Sequence, residues 1–447
     1  MAAVRPLPPP APGDLPRGFP SRAALADQLR QLFPAAEGEP SGIRGGRKAA
    51  ELALTRLDPS RYRRSRNFLD GAVTGLSPYV RHGVLGLAEF KRLVLGRVRD
   101  WNEAEKLISE LGWRDFWQRV WLQRGDAIWT ELEPLKTGHP PDSYASELPL
   151  DLAEGRTGLA CIDGFQQQLV GSGWLHNHGR LWLAAYVVHW RRLRWQVGAR
   201  WFLQHLLDGD PASNNLSWQW VASSFSQKPY IFNRENLERY ARDGYCRSCA
   251  SADSCPFDAS YESLQAQLFE PVSAAQDPAG QGEAPVEAPA EALTKAATKA
   301  KPLASPQRPM LWIHGEGLGP TNLAWAAAAK APALFVFDRC RIAADGTSLK
   351  RLAFCYECLL ELPVILRVGD PLEELLAFGE RCGADGVIAQ RPTDPHLGAI
   401  ATALAEKLPL LLLEPEAFVT LDSAPQLQRF NRYWRLAEPL LRQQASP

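Results

Sequence analysis

Three clusters of side chains in this chain have the types and spacing to do chemistry. Cys246, Cys249 and Cys255 form Cys-x2-Cys-x5-Cys, three thiols in one short loop. A tetrahedral metal or an iron–sulfur cubane needs a fourth ligand, and Cys161 is the remaining cysteine before residue 270. A [4Fe–4S] cluster is the reading preferred here; zinc, or free buried thiols, are the alternatives. The second cluster is ELGWRDFW, Glu110 to Trp117. On a helix Glu110, Trp113, Arg114 and Trp117 share one face. Aromatics beside an acid and a guanidinium suit a pocket that stacks on planar groups and binds phosphate, or else a structural Arg–Glu pair under a Trp-rich core. The third is LLDGDPASNNLSWQW, Leu206 to Trp220, with Asp208, Asp210, Asn214 and Asn215 at one helix junction. Such groups could hold a ligand that offers N–H donors, such as a flavin ring; helix capping by Asp and Asn is the alternative.

These clusters need elements to position them. Residues 20–269 carry helical periodicity almost throughout. Leu107, Leu111, Phe116, Val120 and Trp121 recur close to three and four apart. This half is predicted to be all helical. Residues 270–308 are rich in Ala, Pro, Glu and Lys and lack aromatics. Such a segment cannot bury enough surface to offset its ordering entropy, and is expected to be a flexible linker.

Beyond it, over 309–420, short apolar runs alternate with helical stretches. The runs are Met310–His314, Ala333–Phe337, Pro363–Val368, Gly386–Ala389 and Leu408–Leu413; the stretches are Leu349–Leu362, Pro371–Cys382 and His396–Lys407. That alternation predicts βαβ units and a parallel sheet. Residues 421–447 read as an amphipathic helical tail. Cys355 and Cys358 fall on a predicted helix and read as core packing. The fold class is therefore multidomain, an all-α domain followed by an α/β parallel-sheet domain.

Fifty basic and fifty acidic residues balance over the 447. Residues 1–100 alone carry 17 basic and 9 acidic side chains, which fits a local phosphate-binding face as well as an ordinary basic surface. No apolar run approaches the ~20 residues of a membrane span. The proline-rich start lacks the apolar stretch of a secretory signal. A cytoplasmic, monomeric protein with no membrane partner is expected, and eight cysteines in that setting argue for metal ligation or burial before disulfides.

The blocks TGLSPYVRHGVL (Thr74–Leu85), ELGWRDF, TGLACIDGFQQQL (Thr157–Leu169), GWLHNHGRL (Gly173–Leu181) and DGDPASNNLSWQW (Asp208–Trp220) resemble the flavin-binding helical domain of the DNA photolyase/cryptochrome family. They stand in the family's order and spacing. The resemblance implies a U-shaped FAD held by Tyr62, Thr74, Leu76, Ser77, Arg114, Asn177, Arg180, Asp208, Asp210 and Asn214. It implies that Asp208 accepts a hydrogen bond from the isoalloxazine and that Asn177 faces flavin N5. Glu110 matches the acid that contacts a pyrimidine dimer, and Trp113 and Trp220 match the aromatics beside the lesion. Trp218 and Trp195 match the proximal and middle tryptophans of the family's electron-transfer chain.

Cys161 stands where the iron–sulfur branch of the family has cysteine, and that branch also has CxxC…CPF near the domain's end. The second half resembles the family's α/β antenna domain, which normally precedes the helical one, so the domain order is reversed. Whether that domain carries an antenna pigment, and which, is left open. Departures are Asp142 where the third tryptophan should lie, His178 and Leu181 in the family's HNRxRM, Gly75 inside the usual Thr-Ser pair, and Ile313–Leu318 for the basic FRRDLR segment. The resemblance implies light-driven repair of cyclobutane pyrimidine dimers in damaged duplex DNA by a photolyase-type lyase. From another class, it implies a blue-light sensor that binds FAD, meets a signalling partner and repairs nothing.

Overall fold

The computed structural model describes residues 11–242, 244–270, 306–421 and 427–444. The linker expected over 270–308 falls almost wholly outside them. The chain forms two compact units. One comprises residues 1–57, 74–93 and 291–420, the other residues 58–73, 94–290 and 421–447.

The first unit is built on five parallel strands: β1 Pro309–Ile313, β2 Ala333–Asp338, β3 Ile365–Gly369, β4 Gly386–Gln390 and β5 Leu410–Leu413, ordered β3-β2-β1-β4-β5. Leu311 stands opposite Ala333 on one side and Ile388 on the other, so the Met310–His314 run occupies the middle of the sheet. Strands covered on both faces need continuous apolar runs rather than alternation. Helices Leu349–Leu360, Pro371–Cys382 and Pro395–Ala405 supply the cover, each within two residues of its predicted bounds. The α/β architecture and the helical half both stand as expected.

The compact units divide the chain differently from its sequence boundaries. The segment before residue 58 packs with the sheet. Arg17 donates to the carbonyls of Leu359, Leu360, Leu362 and Val364 at 2.6–3.0 Å, binding carbonyls at and just beyond the end of the Leu349–Leu360 helix. Arg22 pairs with Glu357 at 2.6 Å. A Cβ on Gly45 would strike the Phe354 carbonyl. Thr74, Leu76 and Ser77 belong to this unit too. Thr74 Oγ1 accepts from Leu76 N at 3.3 Å, Gly75 sits at φ +63°, and Leu76 is fully buried. The positive φ is the local reason for glycine between Thr74 and Leu76.

The second unit is helical and holds thirteen of the fifteen tryptophans. Trp182, Trp195, Trp201 and Trp218 are buried with Phe165, Phe202, Phe232 and Phe257 in one cluster. The tail helix Phe430–Gln443 packs on the Trp101–Arg124 helix: Gly112 leaves room for the Trp434 ring, 2.6 Å from where a Cβ would stand, and Tyr433 is fully buried. Its amphipathic pattern therefore has its apolar face covered. Among the described residues no helix is long and apolar enough to cross a membrane.

Candidate functional site

Within the helical unit, the turn between the Trp195–His205 and Pro211–Ala222 helices presents two acids with different partners. Asp210 is the N-cap of the second helix and accepts from Ser213 N at 2.9 Å. It also binds Arg114 at 2.9 Å and Gln118 at 2.7 and 3.0 Å. Pro211 at the first helical position has no N–H to satisfy, which suits that start. Asp208 lies two residues earlier, its side chain 6% exposed, and accepts from Arg180 Nη2 at 2.8 and 3.1 Å. Arg180 is oriented by donating Nε–H to the Leu175 carbonyl at 2.8 Å. Two buried carboxylates are thus each matched by a guanidinium from a different helix, which offsets their desolvation. A carboxylate offers about four acceptor positions, so Asp208 can serve a further N–H donor. Asn214 is committed inward: its amide donates to the Ala199 carbonyl and to Asn215 Oδ1.

Glu110 does not pair with Arg114, the partner that shares its helix face. Its Oε1 meets Arg66 Nη1 and Lys106 Nζ, each at 3.1 Å. Burial, then the nearby Glu110 charge, pushes the Tyr62 phenol well above its usual range, so Tyr62 stays protonated and remains a donor. Asn177 opens its helix and is exposed. The neighbouring His176 caps that helix by accepting from His178 N at 3.1 Å and reaches the Arg66 carbonyl at 3.0 Å.

The aromatic residues are divided. Trp220 packs against Tyr230 at 5.4 Å and shares an open cleft of about 580 Å³ with Trp113, Phe225, Lys228, Arg432 and Arg435. Trp113, however, already carries a parallel ring: Phe430 of the tail stacks on it with centroids 3.8 Å apart and planes 9° off parallel. Trp117 lies 5.0 Å from it, tilted by 39°. Polar contacts fix the tail there. Tyr433 Oη donates to Asp115 at 2.7 Å, and Arg429 pairs with Glu133 at 2.6 Å. Phe430 gave no sequence signal as a site residue, because an aromatic at helical spacing is ordinarily core.

Trp195 and Trp218 are both 2% exposed, on adjacent packed helices. Gly198, one turn along from Trp195, is needed because any Cβ there would strike the Trp218 ring. Trp195 Nε1 donates to Glu131 Oε1 at 3.0 Å. Asp142, in the short turn Pro141–Ser143, lines the same cavity as Trp195, Trp129 and Glu131.

Cys161, Cys246, Cys249 and Cys255 all line one pocket, with Leu159, Leu237, Tyr245 and Phe257 around them. Cys161 is the second residue of the Ala160–Ser172 helix, and two short turns carry the others. Burial first, then the neighbouring thiols, pushes Cys161 far above the ordinary thiol range, and burial pushes Cys246 up to about 11. As free thiols Cys161 and Cys246 stay protonated at neutral pH. Among the described residues no group of three or more His, Cys, Asp and Glu has the geometry to hold a metal ion. In the other unit, Cys358 is buried and accepts from Gly46 N at 3.1 Å, in keeping with core packing.

Comparison with known proteins gives the following. The profile of the FAD binding domain of DNA photolyase matches residues 107–245. A deoxyribodipyrimidine photo-lyase of Streptomyces griseus is 33% identical over 189 residues, covering 41% of this chain and 40% of the relative. One from Alkalihalophilus pseudofirmus is 32% identical over 190 residues, covering 40% and 38%. Among solved structures, an archaeal photolyase of Sulfolobus tokodaii with two FAD molecules is 26% identical over 46% of each chain, with a TM-score of 0.38. A bacterial class III photolyase of Agrobacterium tumefaciens is 20% identical over 56% of this chain and 58% of its own, with a TM-score of 0.42. The matched stretch spans about two fifths of the curated relatives' length. The profile match at residues 107–245 contains Glu110, Trp113, Arg114, Cys161, Asn177, Arg180, Trp195, Asp208, Asp210, Asn214, Trp218 and Trp220, and leaves out Tyr62, Thr74, Leu76, Ser77, Cys246, Cys249 and Cys255.

Proposed function

We propose that this chain, whose residues 107–245 match the FAD binding domain of DNA photolyase, is a photolyase/cryptochrome-family protein that binds FAD and uses light to split cyclobutane pyrimidine dimers in DNA. The observation that carries the reading is the pair of buried acids, Asp208 and Asp210, held by Arg180 and Arg114. Tyr62 and Asn177 complete the shell we assign in this unit, whereas the amide of Asn214 is engaged by Ala199 and Asn215. When bound, the flavin supplies the light-driven electron. Asp208, ionised and oriented by Arg180, accepts an N–H of the ring and fixes its orientation. Glu110, held by Arg66 and Lys106, is the group assigned to a dimer carbonyl as that oxygen gains charge, the usual task of a preorganised polar group. Trp220 offers a stacking plane for a base taken out of the duplex, and Trp195 with Trp218 conduct electrons inward.

For the four cysteines we propose a [4Fe–4S] cluster. The observation in its favour is that all four thiols line one pocket, beside Leu159, Leu237, Phe257 and Arg234. A single zinc ion needs its thiolates about 2.3 Å from one point, whereas a cubane spreads them over four corner irons.

The second reading, a light sensor without repair, is favoured by one observation. Phe430 occupies the stacking face of Trp113, so the aromatic that should meet the lesion is covered by the chain's own tail. Illumination of fully reduced protein with dimer-containing DNA separates the two readings. Repair predicts restored pyrimidines, with a yield per absorbed photon that falls in Glu110→Ala at unchanged flavin content. Equal binding to damaged and intact DNA, with no dimer split, selects the sensor.

A further inference from the structure

The surface end of the electron path is unassigned, since Asp142 stands where a third tryptophan would lie. Three aromatic rings line the cavity of about 520 Å³ at this point: Trp195, Trp129 and Tyr144. Their surroundings differ in how well they tolerate loss of an electron. The guanidinium of Arg200 lies over the Trp129 ring, 5.3 Å from its centroid, and a fixed cation there opposes a second positive charge on the ring. Tyr144 Oη pairs with Thr137 Oγ1 at 2.8 Å, a hydroxyl that is a poor acceptor for a phenolic proton. Trp195 alone of the three donates its N–H to a carboxylate, Glu131 Oε1 at 3.0 Å. The same oxygen also accepts from Gln196 Nε2 at 3.0 Å, which holds it in place. Trp195 is buried, but Glu131 is exposed, so a proton passed to it can reach solvent.

We propose that Glu131 is the proton acceptor that ends the electron path at Trp195. The assignment rests on the reading of Trp195 as an electron donor to the flavin. Trp195 gives one electron inward through Trp218 and becomes a radical cation, a far stronger acid than neutral indole. Its Nε1 proton then moves along the existing hydrogen bond to Glu131 Oε1, leaving a neutral radical on Trp195. The carboxylate thereby removes the positive charge that would otherwise draw the electron back. A small-molecule thiol, as its thiolate, later supplies one electron; the proton returns to Nε1 and the thiol is left oxidised by one electron. No third tryptophan is required, which accounts for Asp142. The step also assigns a role to a residue whose partner lies 64 positions away in sequence.

The test compares full-length, flavin-loaded protein with its Glu131→Gln variant, in which the side chain still accepts a hydrogen bond but is a far weaker base. Glu131 is exposed, so folding should be unaffected. After a laser flash, wild type should show the neutral tryptophanyl radical. The variant should hold the radical cation on the order of 10²-fold longer, the usual contribution of a positioned general base, and should lose charge separation faster. In the dark, the Trp195 indole ¹H–¹⁵N resonance should move on acid titration in wild type and not in the variant. Equal cation lifetimes in both proteins, or an indole resonance indifferent to Glu131, overturn the proton step. Absence of any tryptophan radical, or one unaffected by Trp195→Phe, overturns instead the electron-donor reading and this assignment with it.

Discussion

Phe430→Ala tests whether Trp113 is available to a nucleobase. The Phe430 ring lies parallel to Trp113 at 3.8 Å between centroids, the arrangement a stacked base would adopt. An aromatic pair adds about 0.5–1.5 kcal/mol beyond its buried area. Phe430 is only partly buried, so its area contributes about half of a full Phe burial, roughly 1 kcal/mol. A base that must replace this ring therefore competes against about 2 kcal/mol, of the same order as the ~1–3 kcal/mol a stacked base returns. Removing the ring should tighten binding to dimer-containing DNA by up to about 30-fold, at 1.4 kcal/mol per tenfold. Binding to intact duplex, in which no base enters the cleft, should not change. Fluorescence titration with both DNAs at one fixed salt concentration measures the ratio. Unchanged or weaker discrimination in Phe430→Ala would refute competition between the tail and the base.

Three further outcomes are expected. Asp208→Ala should lower flavin affinity by about 10-fold to 100-fold, since a hydrogen bond to a charged group contributes ~1.5–3 kcal/mol and Arg180 is left unpaired as well; full flavin occupancy in the purified variant would remove Asp208 from the shell. Anaerobically purified protein should contain about four iron and four sulfide per chain, and Cys249→Ala should lose them together with some stability of the helical unit; one zinc and no iron would overturn the cluster. Stability should also depend on pH through His189, fully buried, with its Nε2 at 3.0 Å from the Val221 carbonyl. Burial lowers its pKa from 6.5 to about 4, so the unfolded chain binds a proton that the folded one does not. This contribution is full above pH ~6.5 and lost as pH falls toward about 4, amounting to roughly 3 kcal/mol. Denaturant titrations should show this slope in wild type and a shallower one in His189→Gln; equal slopes would contradict it.

The elements were legible because each follows a local period. ALFVF and the other apolar runs became strands at or within two residues of their predicted bounds, and the three helices expected between them stand where periodicity put them. Membership of the compact units was not legible. Arg17 meets carbonyls more than 340 residues away, and no window of sequence contains such a contact. The tail shows the same limit. Its amphipathic face announces that something covers it, but Gly112 and Trp113 as the covering surface follow only from packing.

Within the site, spacing fixed residue types but misjudged partners. Glu110 and Arg114 stand four apart on one helix face, a spacing that favours an ion pair by a few tenths of a kcal/mol. Asp210 outbids it, because a carboxylate only 2% exposed leaves a charge uncompensated unless Arg114 turns to it. Glu110, more exposed, finds Lys106 and Arg66 instead. Weak local preference yields to the larger cost of an unpaired buried charge, and that cost depends on burial, which no spacing rule reports. The same holds for Glu131: an acid in an irregular stretch becomes a partner for Trp195 only once the fold closes 64 residues of chain between them. Residues whose chemistry depends on a buried charge or a single hydrogen bond are therefore the ones a sequence conceals. Residues grouped by type at fixed spacing, Asp208 and Asp210 or the Cys246–Cys255 loop, are the ones whose proximity it displays.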